Sequence, residues 1–166
     1  NGFVPETSMA SICSVTFIEP NSAPMAEAIF KHKIQHKNLH QFVEIDSCGT
    51  SNYHIGDIPD PRTIATVSKN GIKIDHYVRQ LTTDDLEEFD FIIAMDRSNH
   101  QNILRLSKNE AHAEKVFLMR EFDSIGKGEE VPDPYWGDER SFQEVFEILD
   151  RSTDRFLLHI EQTIKS

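Results

Sequence analysis

Strand-like and helix-like patterns of hydrophobic and polar residues alternate along this chain. Residues 12–18 alternate between two faces, which is the pattern of a β-strand. Residues 91–95 form a continuous apolar run, typical of a central parallel strand buried on both faces. Residues 42–46 and 115–119 predict two further strands. The pattern therefore predicts four strands.

Helical segments separate these strands. The first helix is predicted to begin near Pro24, because a proline in the first turn loses no hydrogen bond. The last helix is predicted to begin at Ser141, with Glu144 three residues later as a capping box. Gly71 is the residue type that usually forms a left-handed cap after a helix. The other predicted helices cover residues 61–70, 82–89 and 97–106.

Strands that alternate with helices indicate a parallel sheet with helices on both sides. The predicted fold class is α/β, a single three-layer domain with a four-stranded parallel sheet over residues 11–166. Residues 1–10 are polar and are expected to form a flexible N-terminal segment. Ligands of such sheets bind beyond the carboxyl ends of the strands, so the loops after the four strands should meet at one site. Asp96, directly after the central strand, is expected to cap a helix, with a catalytic acid as the less favoured alternative.

Charge narrows the range of partners. The chain has 17 basic and 28 acidic residues, a formal net charge of −11. An acidic surface repels nucleic acid and anionic membranes, so neither is expected as a partner, whereas a small phosphorylated ligand responds to the local field. The N-terminal sequence lacks the features of a signal peptide, and no run of about 18 apolar residues predicts a membrane span. We expect a cytoplasmic protein, monomeric or weakly homodimeric.

The two cysteines, Cys13 and Cys48, occur in apolar or strand-like surroundings. This favours buried, reduced thiols in a cytosolic protein over a disulfide bridge. Neither cysteine has another cysteine or a histidine at zinc-ligand spacing. His32 and His36 share a helix face that is rich in lysine, which we interpret as solvated. No metal and no cofactor are expected.

Several short motifs occur in a characteristic order. Pro-Met-Ala-Glu-Ala-Ile-Phe opens the first helix, Asp-Ser-Cys-Gly-Thr-Ser ends the second strand, and Asp-Pro-Tyr-Trp-Gly lies in a long loop. Together these motifs resemble the low-molecular-weight protein tyrosine phosphatases over about residues 12–165. The resemblance implies that family's fold and its reaction, hydrolysis of phosphotyrosine in proteins or of small aryl phosphates through a cysteinyl phosphate. The matching segments are residues 24–30, 46–51, 53–56 and 59–62, then His76 with residues 79–81, residues 89–90 with residues 94–96, and residues 133–137.

The chain departs from this family at the phosphate-binding loop. The family's loop has a cysteine that attacks phosphorus, then five residues, an arginine that clamps phosphate oxygens, a serine and a proline. Counting back from Pro24 puts Thr16 at the position of the nucleophile and Ser22 at the position of the arginine. Ala23 replaces the serine, and Glu19 stands where the family has a stabilising asparagine.

These replacements predict little or no phosphatase activity. A threonine hydroxyl has no anionic population comparable to that of a loop thiolate. Loss of the arginine removes a bidentate clamp on the charge of the transition state. Glu19 adds a negative charge at the phosphate position, and Pro20 lacks an N–H donor. Cys13 does not replace the nucleophile, because it fits the pattern of a small buried strand residue.

The resemblance assigns roles to five other residues. Asp133 is the candidate general acid, although an Asp before Pro also commonly opens a turn. Tyr135 and Trp136 are candidates for the aromatic wall of a phosphotyrosine cleft, or for hydrophobic anchors of a long loop. Ser47 and His76 resemble the residues that brace the phosphate loop, and here they could instead hydrogen-bond a carboxylate.

Other interpretations stay open. The chain could be a phosphatase-fold binding or scaffold protein. It could be an active phosphatase whose functional N-terminal stretch differs from the first 23 residues here, since the mismatch is confined to them. It could also be another enzyme on the same fold, such as a thiol-based arsenate reductase. That reaction also needs a loop cysteine, and Tyr135 and Trp136 favour an aromatic substrate instead.

Overall fold

A four-stranded parallel sheet forms the centre of the protein. The computed structural model describes residues 12–19, 22–50, 59–74 and 79–165, without the side chains of Trp136 and Lys165. The spatial order of the strands is β2-β1-β3-β4, and all neighbouring strands are parallel. This confirms the predicted α/β class. The strands are β1 (Cys13–Ile18), β2 (Val43–Cys48), β3 (Phe91–Ala94) and β4 (Val116–Leu118).

Strand β1 is central and pairs with a neighbour on each side. Thr16 lies opposite Asp46 of β2 and opposite Ile92 of β3. The predicted alternation places Phe17 in the larger core and Ile18 in the smaller core on the other face. All six residues of β1 are buried, as expected for a strand covered on both faces.

Helices cover both faces of the sheet. Helices α1, α2 and α6 pack against one another on the face that contains the larger core, whereas α4 packs against β3 and β4 on the other face. The α-helices are α1 (Ala23–His36), α2 (Pro61–Lys69), α3 (Thr83–Glu88), α4 (Arg97–Leu106), α5 (Glu110–Ala113) and α6 (Glu139–Lys165). Two short 3-10 helices are Met119–Phe122 and Pro134–Trp136. No helix in the described ranges is long and apolar enough to cross a membrane.

Several helix ends have the predicted caps. Gly71 has a positive φ of 79°, and its N–H donates to the Ser68 carbonyl at 3.0 Å. The next N–H, of Ile72, donates to the Val67 carbonyl at 2.9 Å, which completes a Schellman motif after α2. Asp96 caps α4, because its carboxylate accepts the N–H of Asn99 at 2.8 Å.

Two predicted boundaries are wrong. Strand β2 continues two residues beyond the predicted range of 42–46, through Ser47 and Cys48, because β1 offers pairing partners for both residues. The last helix begins at Glu139 rather than Ser141. The carboxylate of Asp138 accepts the Ser141 N–H at 3.2 Å, so Asp138 is the cap, and the expected Ser141 capping box is wrong. Helix α5 was not predicted, and residues 1–10 lie outside the described residues.

Candidate active site

The carboxyl ends of β1, β2 and β3 are joined to the loop after β4 by backbone hydrogen bonds. The Glu19 N–H donates to the Cys48 carbonyl at 3.0 Å. The Met95 N–H donates to the Ile18 carbonyl at 3.3 Å, and the Val131 N–H donates to the Met95 carbonyl at 2.8 Å. The strand order reverses at β1, which is where open α/β sheets bind ligands. The prediction that these loops meet is confirmed for the described residues.

Thr16, which the resemblance puts at the position of the nucleophile, lies inside the sheet. It is fully buried, and its strand continues for two more residues, to Ile18. Its Oγ1 lies 3.4 Å from the Sγ of Cys48 on the adjacent strand, where either atom can donate. The hydroxyl therefore faces the side of the sheet that contains Cys48 rather than open solvent.

Glu19 places a buried carboxylate at the beginning of α1. Its Oε1 accepts the backbone N–H of Ser22, the N-cap residue of α1, at 2.9 Å. A helix N-terminus stabilises an anion through its free N–H groups and its dipole. Ser22 and Ala23 are fully buried, and the Ser22 Oγ has no hydrogen-bond partner in the described part of the chain. The first turn of α1 therefore holds an anion supplied by the protein itself.

Ser47 contacts a buried carboxylate that was not predicted from sequence. Its hydroxyl donates to the Oε1 of Glu27 at 2.5 Å, and the other Glu27 oxygen lies 2.5 Å from the Lys31 ammonium. Glu27 is 3% exposed. The sequence contains part of the signal, since Glu27 lies among apolar residues of α1 with a lysine at i+4, but this pattern does not identify Ser47 as a partner. His76, the other predicted bracing residue, lies outside the described residues.

Asp133 and Tyr135 lie on a loop that is bonded to the carboxyl end of the sheet at Val131. The Asp133 Oδ1 accepts the Tyr135 N–H at 2.9 Å, so the carboxylate caps the short 3-10 helix. This is the turn-forming role expected of an Asp before Pro, and Asp133 itself is exposed. The Tyr135 side chain is 45% exposed, which does not fit a purely hydrophobic anchor. The loop passes close to the site because Val131 is bonded to the end of β3.

Neither cysteine is a thiolate at neutral pH. Burial, with a smaller contribution from Asp90, raises the pKa of Cys13 to about 12. Burial also raises the pKa of Cys48 to about 12, although the hydrogen bond with Thr16 and the charge of Arg79 oppose it. Both are free thiols, as predicted. Cys48 therefore lies next to Thr16 without the protonation state that a nucleophile needs.

No metal-binding group is found in the described ranges, which contain no cluster of three or more His, Cys, Asp or Glu side chains placed to hold an ion. Of the predicted site residues, Thr16, Glu19, Ser22, Ala23 and Ser47 lie together at the ends of β1 and β2. Asp133, Tyr135 and the backbone of Trp136 lie on the loop beyond β3.

The sheet order, the helix that begins at the crevice and the Asp-Pro-Tyr-Trp loop define the class as an α/β domain of the tyrosine phosphatase type. The chain belongs to the family described as "Low molecular weight phosphotyrosine protein phosphatase", whose model matches residues 12–166. A relative from Schizosaccharomyces pombe with that name is 42% identical over 139 residues, 83% of this chain and 88% of the relative. One from Saccharomyces cerevisiae is 38% identical over 156 residues, 92% and 94% of the two chains.

Solved structures agree with this assignment. A protein tyrosine phosphatase from Entamoeba histolytica, crystallised with Hepes in its active site, matches with a TM-score of 0.87 and 32% identity. The match covers 91% of this chain and 98% of that chain. YfkJ from Bacillus subtilis matches with a TM-score of 0.85 and 30% identity, covering 93% of this chain and 98% of its own. The fold predicted from the resemblance is thus confirmed.

Proposed function

We propose that this chain keeps the phosphotyrosine-cleft architecture of its family but hydrolyses phosphotyrosine at a severely reduced rate or not at all. The family reaction needs a thiolate and a guanidinium in the phosphate loop, and residues 16–23 contain neither. The observation that carries the proposal is the Glu19 carboxylate, which accepts the Ser22 N–H where a phosphate oxygen is expected to bind.

The nucleophile position supports a loss of chemistry. A phosphatase nucleophile must be anionic near neutral pH and must reach phosphorus in line with the leaving group. Thr16 is buried in a strand paired on both sides, and the side-chain partner of its hydroxyl is the Cys48 thiol, which is protonated at neutral pH and cannot act as a base. Its substitution therefore removes both the charge and the access that the reaction requires.

The anion-binding position supports the same conclusion. A phosphate dianion needs free N–H donors and a positive field. The Glu19 N–H is bonded to the Cys48 carbonyl, the Ser22 N–H is bonded to Glu19, and Pro20 has no N–H. With serine in place of the arginine, the local charge contributed by this loop is negative. Phosphate therefore meets repulsion where the family supplies attraction.

The remaining site residues are proposed to keep their family roles. Asp133 is the candidate general acid, on an exposed loop whose Val131 is bonded to the end of β3. Tyr135 and Trp136 are proposed to line the aromatic side of the cleft, and Ala23 to border the phosphate position. Ser47 and His76 are proposed to brace the loop; the bond from Ser47 to Glu27 would hold α1 to β2 beside it.

An assay with an aryl phosphate at pH 5 to 6 tests the proposal. We expect no turnover above that of the Asp133→Ala variant of the same chain, which serves as the control for contaminating phosphatases. Turnover at rates typical of the family that falls on Asp133→Ala, or a trapped covalent phospho-intermediate, would refute the proposal. Either result would favour an active phosphatase instead.

A second candidate function is binding without catalysis. The observation that favours it is the half-exposed ring of Tyr135 at the edge of the site. The partner would be a phosphotyrosine protein or another protein with an exposed aromatic residue. Titrations with vanadate and with free phosphotyrosine can be followed by the fluorescence of Trp136, the single tryptophan. Vanadate tests binding at the phosphate position alone, whereas phosphotyrosine also tests binding of the aromatic ring. Response to phosphotyrosine alone would support binding through the aromatic wall.

The proposed setting is the cytoplasm, with the chain monomeric or weakly dimeric. The two buried free thiols support a reducing compartment. An arsenate reductase role is disfavoured because that reaction also needs a reactive loop thiol, and both cysteine pKa values are raised to about 12.

A further inference from the structure

Arg62 connects the beginning of α2 to the loop that carries Asp133 and Tyr135. We infer that Arg62 is a positioning residue, a latch that fixes residues 133–137 over the site. The inference rests on the proposed role of this loop as the acid and aromatic side of the cleft. It concerns a residue outside the phosphate loop, and its test needs no turnover.

One edge of the Arg62 guanidinium is bound by the Asp60 carboxylate. Its Nη2 lies 2.9 Å from the Asp60 Oδ2, and its Nε donates to the Asp60 Oδ1 at 3.2 Å. The same Asp60 Oδ1 accepts the Arg62 backbone N–H at 2.8 Å and caps α2. Two parallel bonds to a carboxylate that is itself fixed by a helix N-terminus define the plane of the guanidinium.

The other side of the guanidinium contacts the loop. Its Nη1 donates to the Gly137 carbonyl at 3.3 Å. Its central carbon lies 5.5 Å from the centre of the Tyr135 ring and 4.7 Å from the centre of the Phe142 ring. Phe142 is buried in the first turns of α6, so the guanidinium lies between the loop and the fixed core. A lysine at position 62 would keep the positive charge. It has neither the planar group that donates two parallel hydrogen bonds nor the flat surface that stacks on an aromatic ring.

The latch complements a separate anchor at the upstream end of the loop. There the Val131 N–H donates to the Met95 carbonyl at 2.8 Å, and the Glu130 carboxylate accepts the Arg97 N–H at 2.7 Å. Asp133 lies between this anchor and the contact of Arg62 with Gly137. We therefore expect removal of one anchor to loosen the segment around Asp133 and Tyr135, while the sheet keeps its pairing.

Time-resolved fluorescence anisotropy of Trp136 tests the latch, because Trp136 is the single tryptophan and lies between Tyr135 and Gly137. In Arg62→Ala, we expect the population of the released loop to rise about two- to fivefold, the factor that matches one exposed cation–π contact. The fast component of the anisotropy decay should grow accordingly. Arg62→Lys should behave like Arg62→Ala. The matched control is Arg105→Ala on α4, whose guanidinium donates to Asn102 at 2.7 Å.

A double-mutant cycle with Tyr135→Leu identifies the contact. If the latch acts through the ring, Arg62→Ala adds nothing to the anisotropy change of Tyr135→Leu. Equal decays for Arg62→Ala and Arg105→Ala would overturn the inference, as would full rescue by Arg62→Lys. If Arg62→Ala does not fold, Arg62→Lys, which keeps the charge beside Asp60, provides the decisive comparison. A negative result here leaves the phosphatase assay unaffected, so the two failures can be told apart.

Discussion

Glu19 is buried at the end of β1, and its carboxylate accepts the amide of Ser22. For a helix N-terminus this is a favourable arrangement, because the carboxylate satisfies a free N–H and faces the positive end of the dipole. The same arrangement opposes an external anion. Two like charges about 4 Å apart repel by about 1 kcal/mol in water and about 4 kcal/mol in a partly buried setting. One side chain thus stabilises the fold and disfavours the ligand of the family.

Substitution of Glu19 by glutamine separates these two effects. The amide oxygen of Glu19→Gln can still accept the Ser22 N–H, but the negative charge is gone. We expect affinity for phosphate or vanadate to rise by about fivefold or more, the factor that removal of the weaker repulsion gives. Titration by ³¹P NMR or by Trp136 fluorescence measures the change.

The matched control for this titration is Glu44→Gln. Glu44 is an exposed residue near the beginning of β2, at the opposite end of the sheet from the site. The Glu44→Gln substitution changes the net charge by the same amount as Glu19→Gln and should leave the affinity for phosphate or vanadate unchanged. Equal affinities for Glu19→Gln and the unmodified chain would contradict the view that this carboxylate blocks the site.

At the scale of elements, Asp123 joins the loop after β4 to α6. Its side chain is buried and accepts hydrogen bonds from Arg120 at 2.8 Å and from Arg151 of α6 at 2.7 Å. Burial alone would raise its pKa, but the bonds from Arg151, the Ile125 N–H and Arg120 hold the pKa well below its ordinary value. The ion pairs thus fix the start of the long loop that later carries Asp133.

Asp123→Asn should destabilise the fold by about 3 kcal/mol, because it leaves two arginines beside a neutral group. Urea unfolding measures this loss. Since the folded pKa is depressed, the contribution of Asp123 is present above about pH 4 and is lost as the pH falls below it. The variant should therefore lose less stability between neutral and acid pH than the unmodified chain. Asp154→Asn, at an exposed pair with Lys33, is the control and should cost at most about 1 kcal/mol.

Elements whose signal is local could be predicted from sequence. The apolar run of β3, the Gly71 cap and the Asp96 cap depend on neighbouring residues, and all three are confirmed. Boundaries that depend on a hydrogen-bond partner elsewhere in the structure could not be predicted from sequence. Ser47 and Cys48 are small residues typical of loops, and only their pairing with β1 makes them strand. Ser141 has the sequence pattern of an N-cap, but its N–H donates to the Asp138 carboxylate, so Asp138 is the cap.

In the candidate site, too, local sequence signals could be predicted and tertiary contacts could not. The motifs locate Thr16, Asp133 and Tyr135 by their spacing in the chain, and the structure brings their elements to one end of the sheet. The burial of Glu27 and the contacts of Arg62 with two rings depend on tertiary packing. No local pattern specifies which carboxylate Ser47 meets, or which arginine meets Tyr135. Contacts between distant segments therefore cannot be predicted from the local sequence patterns.

At the scale of the whole molecule, the proposed function places the departures from the family in one loop, while the described sheet and helices match the family's solved structures. A protein whose only defect is that loop should recover activity when the loop is replaced as a unit. Single reversions should fail, because a thiol without the arginine lacks the clamp, and an arginine beside Glu19 would pair with it. The substitutions needed together are Thr16→Cys, Glu19→Asn, Pro20→Ala, Ser22→Arg and Ala23→Ser.

Turnover of an aryl phosphate by this five-substitution chain is the expected result, because the thiolate would regain the helix N-terminus, and the arginine would clamp the phosphate. Adding Asp133→Ala should lower kcat by about 10²- to 10⁴-fold, which is the usual contribution of a general acid. The matched control restores the other four positions but keeps Thr16, and it should bind vanadate without turnover. A folded five-substitution chain that binds vanadate and still fails to hydrolyse would mean that the Asp133 loop, and not only residues 16–23, has lost its function. That outcome would favour a binding role for the aromatic wall, since the cleft would then have lost its acid as well as its nucleophile.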